Sequence, residues 1–487
     1  MEGDSPLDGR RFAARLITAA SVLLGLLALG LLRSPHASAR EPSPPAVGGA
    51  PSAPSRMPGS LSPAGSAPSR APYPASRLIL RVRWNFSGAK PLRKAQGSDL
   101  WPCTWALDDA LYCAWGDGGG FDGNSDSIGR VSLGFARVIG TPRLDDPASY
   151  RGKNVWGAPP YAEHRATFGG KVGSLIAIDG MLYANGGLWT RENAKDPVAT
   201  GEDGPLQRLI WSSDLGHTWQ IAPWAPRGDL GSYLQFGRDS ANAPDGYVYD
   251  YFGRPHDPSH VYLRRIRTSD LARAPQRPPV SQYLAFLSRA GDAVSWSPRA
   301  IDAMPIFTDP AGAIGANVVY DAGVARYLMT VGHDLSGAVA AAKSVGAKIA
   351  AASIGDANVA TASPGAIGFF EAPHPWGPWR TIYYSDDWGH FPASTRGDYL
   401  GLAFPSKWIS ADGRTLWGVF SGPDGLDAFN LVQARLVTRS HRVRPATGVS
   451  PRQGVFPQRR APDILHCRSL FNAVNGSVFV RCPGGPG

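Results

Sequence analysis

The sequence predicts an all-β chain built as a five-bladed β-propeller, and three observations lead there. A strand, a tight turn and a second strand ending on an aromatic residue recur five times, with the marker aromatics at Tyr112, Tyr183, Tyr249, Tyr327 and Trp417. Those markers are 71, 66, 78 and 90 residues apart, the interval of a propeller blade rather than of a hairpin array. The composition fits as well: Gly 58, Pro 44 and 10% aromatic residues in 487 suit many short strands and turns around a large core.

The ends of the chain read differently from its body. Arg10, Arg11 and Arg15 precede an apolar run from Leu16 to Leu32, and Ala37-Ser38-Ala39 follows as a peptidase-type site. Residues 1–39 are therefore expected to be a signal peptide or, uncleaved, a membrane anchor. From 40 to 76 the chain is Pro, Ser, Ala and Gly, which cannot bury enough apolar surface to fold and predicts a disordered linker. The propeller is assigned to 77–440, and 441–487 to a basic extension ending in a hairpin, Asp463–Phe471 with Ser477–Cys482 turning at Asn475-Gly476. The expected location is outside the cytoplasm: extracellular, periplasmic or tethered to a membrane or cell envelope through the N-terminus. Four cysteines in two local pairs predict bridges Cys103–Cys113 and Cys467–Cys482 rather than a zinc site.

The net charge of +10 is concentrated at the termini. Residues 434–487 hold nine arginines against Asp463 and residues 1–76 seven against four acids, so the body between them carries about −1. The basic tail suits an acidic envelope polymer or a solvated face, and with an export signal nucleic acid is not an expected partner. Gly-x-Ser-x-Gly, His-Glu-x-x-His and phosphate-loop motifs are absent from the sequence, and no Gly-x-Gly-x-x-Gly opens a helix as a dinucleotide fingerprint requires. No cofactor is expected; structural calcium in the loop Gly118–Asp126 is left open.

The strand Arg77–Trp84 alternates polar and apolar residues and is expected to complete the last blade and close the ring. Blade one is placed at 98–142, blade two at 168–225, blade three at 232–308, blade four at 314–390 and blade five at 398–440. Ser336–Ala352 is read as a short helical insertion in blade four, beside the funnel.

Ser212-Ser-Asp214-Leu-Gly216-His-Thr218-Trp219 resembles the Asp-box turn of sialidases, and Ser385–Phe391 is a partial second copy. With the five repeats, Glu371–Trp379 and Pro405–Gly413, residues 95–435 resemble the five-bladed furanosidases of glycoside hydrolase family 43. The resemblance implies a propeller acting on polysaccharide or glycoconjugate, as a monomer. In that family two Asp and one Glu around the funnel perform hydrolysis, and no triplet here matches by motif.

If the innermost strand leads each repeat, its first residues and those just past its partner line the funnel. The candidates are then Asp99 as base or nucleophile, Asp117 as the neighbour that tunes its pKa, and Asp239 as an acid from across the axis. Trp101, Phe121, Lys171, Trp189, Arg238, Arg254, His256, Asn317, His333 and Lys407 are the candidate sugar-binding residues. Asp179, Asp245 and Asp412 lie in Asp-Gly turns and are expected to be structural, as is Glu371. The alternatives are a non-catalytic propeller that binds glycan or protein, and a polysaccharide lyase using His256 with Arg254 or Arg238.

Overall fold

The computed structural model describes residues 70–86, 92–123, 131–157, 168–189, 206–223, 231–254, 257–274, 276–289, 291, 293–333, 366–390, 401–422 and 427–439, with the backbone of 468–472 and 477–481. They form a five-bladed β-propeller. Blade one runs Cys103–Trp105, Leu111–Gly118, Val131–Gly140 and Tyr150–Trp156, each strand antiparallel to the next. Blade two is Gly169–Ile178, Met181–Trp189, Leu206–Ser212 and Gln220–Ile221. Blade three is Ser232–Tyr233, Tyr247–Arg254, Asp257–Arg267, Ser281–Leu287 and Val294–Ser297, with Pro305–Thr308 also joined to Asp257–Arg267. Blade four is Ile314–Asp321, Arg326–Gly332, Ile367–Ala372 and Arg380–Ser385.

Blade five closes the ring as its alternation predicts. Thr415–Phe420 pairs with Phe429–Thr438, whose other edge takes Ile79–Asn85 in the register Val82↔Leu436 and Trp84↔Ala434. Ala403 supplies the innermost position by bridging Val419. The sequence assigned this closing strand one or two residues too early.

Packing follows the same plan. Among the described residues, one large apolar cluster fills each of the five seams, including the last, where Trp408, Trp417 and Phe429 of blade five meet Trp101, Trp115 and Tyr150 of blade one. All five marker aromatics are buried second-strand residues. The hydroxyls of Tyr112 and Tyr249 donate to the aspartate four residues earlier, Asp108 and Asp245, tying each second strand to its own turn. An inner strand is packed by blades on both sides, so Gly169–Ile178 is buried along nearly its whole length.

Cys103 lies directly opposite Cys113, so both side chains share a face and the disulfide forms. Cys467 and Cys482 lie outside the described residues, although the strands between them pair as a hairpin, Arg468–Asn472 with Ser477–Arg481. Residues 70–76, assigned to the linker, are instead ordered against the propeller. Ser76 N–H donates to Thr381 O, Thr381 N–H donates to Pro74 O, and Ser76 Oγ donates to Glu371, so 70–76 run along blade four. The apolar N-terminal run and the 336–352 insertion lie outside the described residues. Among the described residues no helix is long and apolar enough to cross a membrane.

At the turn Ser212–Trp219, Asp214 accepts bonds from Ser212 Oγ and from Thr218 N–H and Oγ1–H. Gly216 takes φ 86°, and buried Trp219 stacks on Phe135 of blade one at 3.9 Å. The motif is a turn that staples blades two and one.

Candidate active site

The ring has two ends. At one, the start end, the inner strands begin; at the other, the turn end, lie the turns of the inner hairpins. The axis between them is nearly filled. A cavity of about 30 Å³ is lined by residues of all five blades, among them Pro102, Ser174, Ser232, Asn317 and Ala403. Thr104 Oγ1 donates to Gln235 Oε1 at 2.9 Å and Gln235 Nε2 to Leu175 O at 2.9 Å, which knits blades one, two and three beside it. Such a space holds a water or two but no sugar ring, so an extended ligand would have to lie across an end.

At the start end the chain turns sharply into blade one. Leu100 and Trp101 take φ 72° and 60°, and the Leu100 N–H donates to Ser421 Oγ of blade five at 2.9 Å. Asp99 just before the turn exchanges both backbone hydrogen bonds with Gly116, at 2.9 and 3.0 Å. Its side chain therefore lies over Gly116, next to Asp117. Lys171, the third residue of blade two's first strand, reaches across the seam to the same spot. Its ammonium is 2.6 Å from Asp117 Oδ1 and donates to Ser132 O at 3.3 Å, and the residue is only 8% exposed. A Cβ on Gly116 would fall 2.4 Å from Asp99 Oδ1 and 2.9 Å from Lys171 Nζ. Glycine is thus required for the two charged groups to meet there. Two carboxylates and one nearly buried cation form this cluster.

Asp99, Asp117 and Lys171 are brought together; most other candidates are not. Asp239 lies at the turn end, where both of its oxygens accept the Gly180 N–H, and burial raises its pKa. It cannot face Asp99, because the length of blade two's first strand separates Gly180 from Lys171. Arg238 shares that end and is exposed. Lys407 is there too, its ammonium 2.8 Å from Asp109 Oδ2 and over the Trp105 ring. The reason is common to all three: they follow a short inner strand instead of leading it.

Trp101 is 1% exposed and packs on Trp115, Phe121 and Phe429, so it is core rather than a sugar platform. Half-buried Phe121 belongs to the same packing and covers Gly152. Arg254 turns outward, donating to Ala300 O and lying over the Tyr262 ring. His333 is folded into blade four, stacked on Tyr384 at 4.0 Å with Nε2 on Ser385 O. Asn317 lines the axial cavity. Trp189 pairs through its backbone with Gly169 at the start end. His256 lies outside the described residues; of the two cations assigned with it, Arg254 turns outward and Arg238 lies at the turn end.

Sequence reasoning missed a second polar cluster on blade three. Asp257 accepts from His260 Nδ1 and the Tyr262 hydroxyl. A break in register between Phe252↔Tyr262 and Arg254↔Asp257 makes these contacts, and periodicity gives no sign of it. Among the described residues no group of three or more His, Cys, Asp or Glu side chains could hold a metal ion. The Gly118–Asp126 loop is described only as far as Gly123.

No family model matches the chain, and no curated protein matches it. Among solved structures it is similar to a thermostable family-43 glycoside hydrolase, with 13% identity, a TM-score of 0.29, and 80% of this chain and 96% of that one covered. It is also similar to a Bacillus subtilis arabinanase, at 11% identity and TM-score 0.32 over 72% of this chain and 97% of that one. A Trypanosoma rangeli sialidase matches at 8% identity and TM-score 0.33, over 70% and 55%. The propeller itself rests on the strand pairing and the five filled seams.

Proposed function

We propose that the chain is a glycan-active propeller, a glycoside hydrolase working through carboxylates at the start end of blade one. The observation that carries this reading is the meeting of Asp99, Asp117 and Lys171 over Gly116. Lys171 pairs with Asp117 at 2.6 Å and meets Asp99 over Gly116, so the three charged groups share one spot. Asp99 is assigned the base or nucleophile, and Asp117 the residue that sets its proton affinity. A general acid must come from elsewhere, since Asp239 lies at the wrong end. Export belongs to the same proposal, supported by the Cys103–Cys113 bridge, which persists in oxidising compartments.

The test is a hydrolysis panel of neutral and acidic polysaccharides with the full chain, Asp99→Asn and Asp117→Asn. Asp99→Asn is expected to lose roughly a hundredfold or more in rate, the scale of a positioned acid or base. Equal product release by wild type and Asp99→Asn removes the assignment. Binding of a glycan without turnover by any of the three makes the protein a binding module instead.

A further inference from the structure

We propose that the seam between blades three and four, at the turn end, is a second binding surface, for an acidic glycan bearing carboxylate or sulfate groups. It does not depend on the hydrolytic reading, since it lies at the end of the ring opposite Asp99. Its centre is Arg265, whose guanidinium lies 4.0 Å from the Tyr247 ring on one side and 4.1 Å from the Trp296 ring on the other. Arg267 covers Tyr247 at 5.1 Å, and Trp376 of blade four meets Trp296 edge-on at 6.2 Å.

Strand register builds this ladder. Tyr247 is opposite Arg267 and Tyr249 opposite Arg265, and positions two apart share a face, so the two arginine side chains leave the strand on the same face about 7 Å apart along the backbone. Arg265 Nε donates to Gln282 Oε1 at 2.8 Å, which holds the group in plane. Among the described residues neither arginine forms a salt bridge; Arg265 also bonds the Tyr249 hydroxyl, which in turn donates to Asp245 on the neighbouring turn. Arg267 is exposed, and Tyr247, Arg265, Trp296 and Trp376 are half-buried.

A guanidinium sandwiched between rings has already lost its side-chain freedom, so its remaining N–H groups can bind an oxyanion at small further cost in ordering. The rings beside it offer apolar surface for sugar C–H faces. The charge distribution argues for a sugar over a nucleic acid. Outside its termini the chain carries about −1, so these are two placed cations within a neutral body and not part of a polybasic field.

The full chain would be titrated with polygalacturonate, heparin, neutral dextran and duplex DNA by affinity electrophoresis at several salt concentrations. Arg265→Gln/Arg267→Gln is expected to weaken binding of the two acidic glycans about tenfold or more, the scale of hydrogen bonds to charged groups. Arg267→Gln alone, at an exposed position, is expected to give part of that loss and guards against misfolding of the double variant. Arg289→Gln/Arg299→Gln, which removes the same charge elsewhere on blade three, is expected to bind like wild type. Undiminished binding by the double variant overturns the proposal, as does an equal loss in the control pair. DNA bound as tightly as glycan, or no glycan bound at all, overturns it too.

Discussion

Asp321, at the end of blade four's first strand, is 0% exposed. Its Oδ1 accepts the Gly323 and Val324 N–H groups at 2.9 and 3.3 Å, while Oδ2 has no hydrogen-bond partner among the described residues. The backbone of Gly413 in blade five closes over it, and a Cβ there would lie 2.3 Å from Oδ1. Burial, with a smaller push from Asp412, raises its pKa from 3.8 to about 7. A carboxyl group with a folded pKa above its unfolded one prefers to be protonated in the fold. The wild type therefore has no penalty below about pH 4, loses stability as pH rises towards 7, and carries the full penalty above it. Asp321→Asn keeps the Oδ1 acceptor and removes the charge. The difference of about three pKa units corresponds to roughly 4 kcal/mol, of which a less than perfect amide fit would leave about 2–4. Urea unfolding of both proteins at about pH 5 and about pH 8 measures this. The variant should match the wild type more closely at the lower pH and exceed it at the higher. An advantage that is absent, or the same at both pH values, would falsify the account.

Gly116→Ala forces a methyl group between Asp99 and Lys171; denaturant unfolding should show a loss of about 1–3 kcal/mol, and any activity carried by Asp99 should go with it. Reduction of Cys103–Cys113, which closes a hairpin already tied by strand pairing, should cost about 2–3 kcal/mol, read as a lower urea midpoint in reductant than without it. Asp214→Ala removes three hydrogen bonds from the turn that seats Trp219 and should cost about 1–3 kcal/mol by thermal or urea unfolding.

Repetition made the architecture legible. The turn aspartates at 108, 179 and 245, each four residues before a buried tyrosine, mark second strands because turn chemistry and burial recur together. The Asp99 and Asp117 pairing was legible for the same reason, since one hairpin fixes both. Positions beyond the inner strand were not. Asp239, Arg238 and Lys407 were assigned to the funnel on the assumption of a long leading strand, yet blade three's inner strand is only Ser232–Tyr233, and the short helical turns after it and at Ser406–Trp408 already belong to the far end. Trp101 misled because its left-handed backbone, invisible in composition, turns the ring inward. Arg265 and its flanking rings gave no signal either: Tyr247 and Trp296 are far apart in sequence, and only the pairing of four strands brings them to one guanidinium.

The latch strand Ile79–Asn85 is made first and used last. Its partner Phe429–Thr438 emerges only after every other blade has been synthesised, so the loop between them must close late, at a considerable entropic cost. Until then an alternating Leu80, Val82 and Trp84 edge stands open to pairing with another molecule, so the edge is covered only when the ring is sealed.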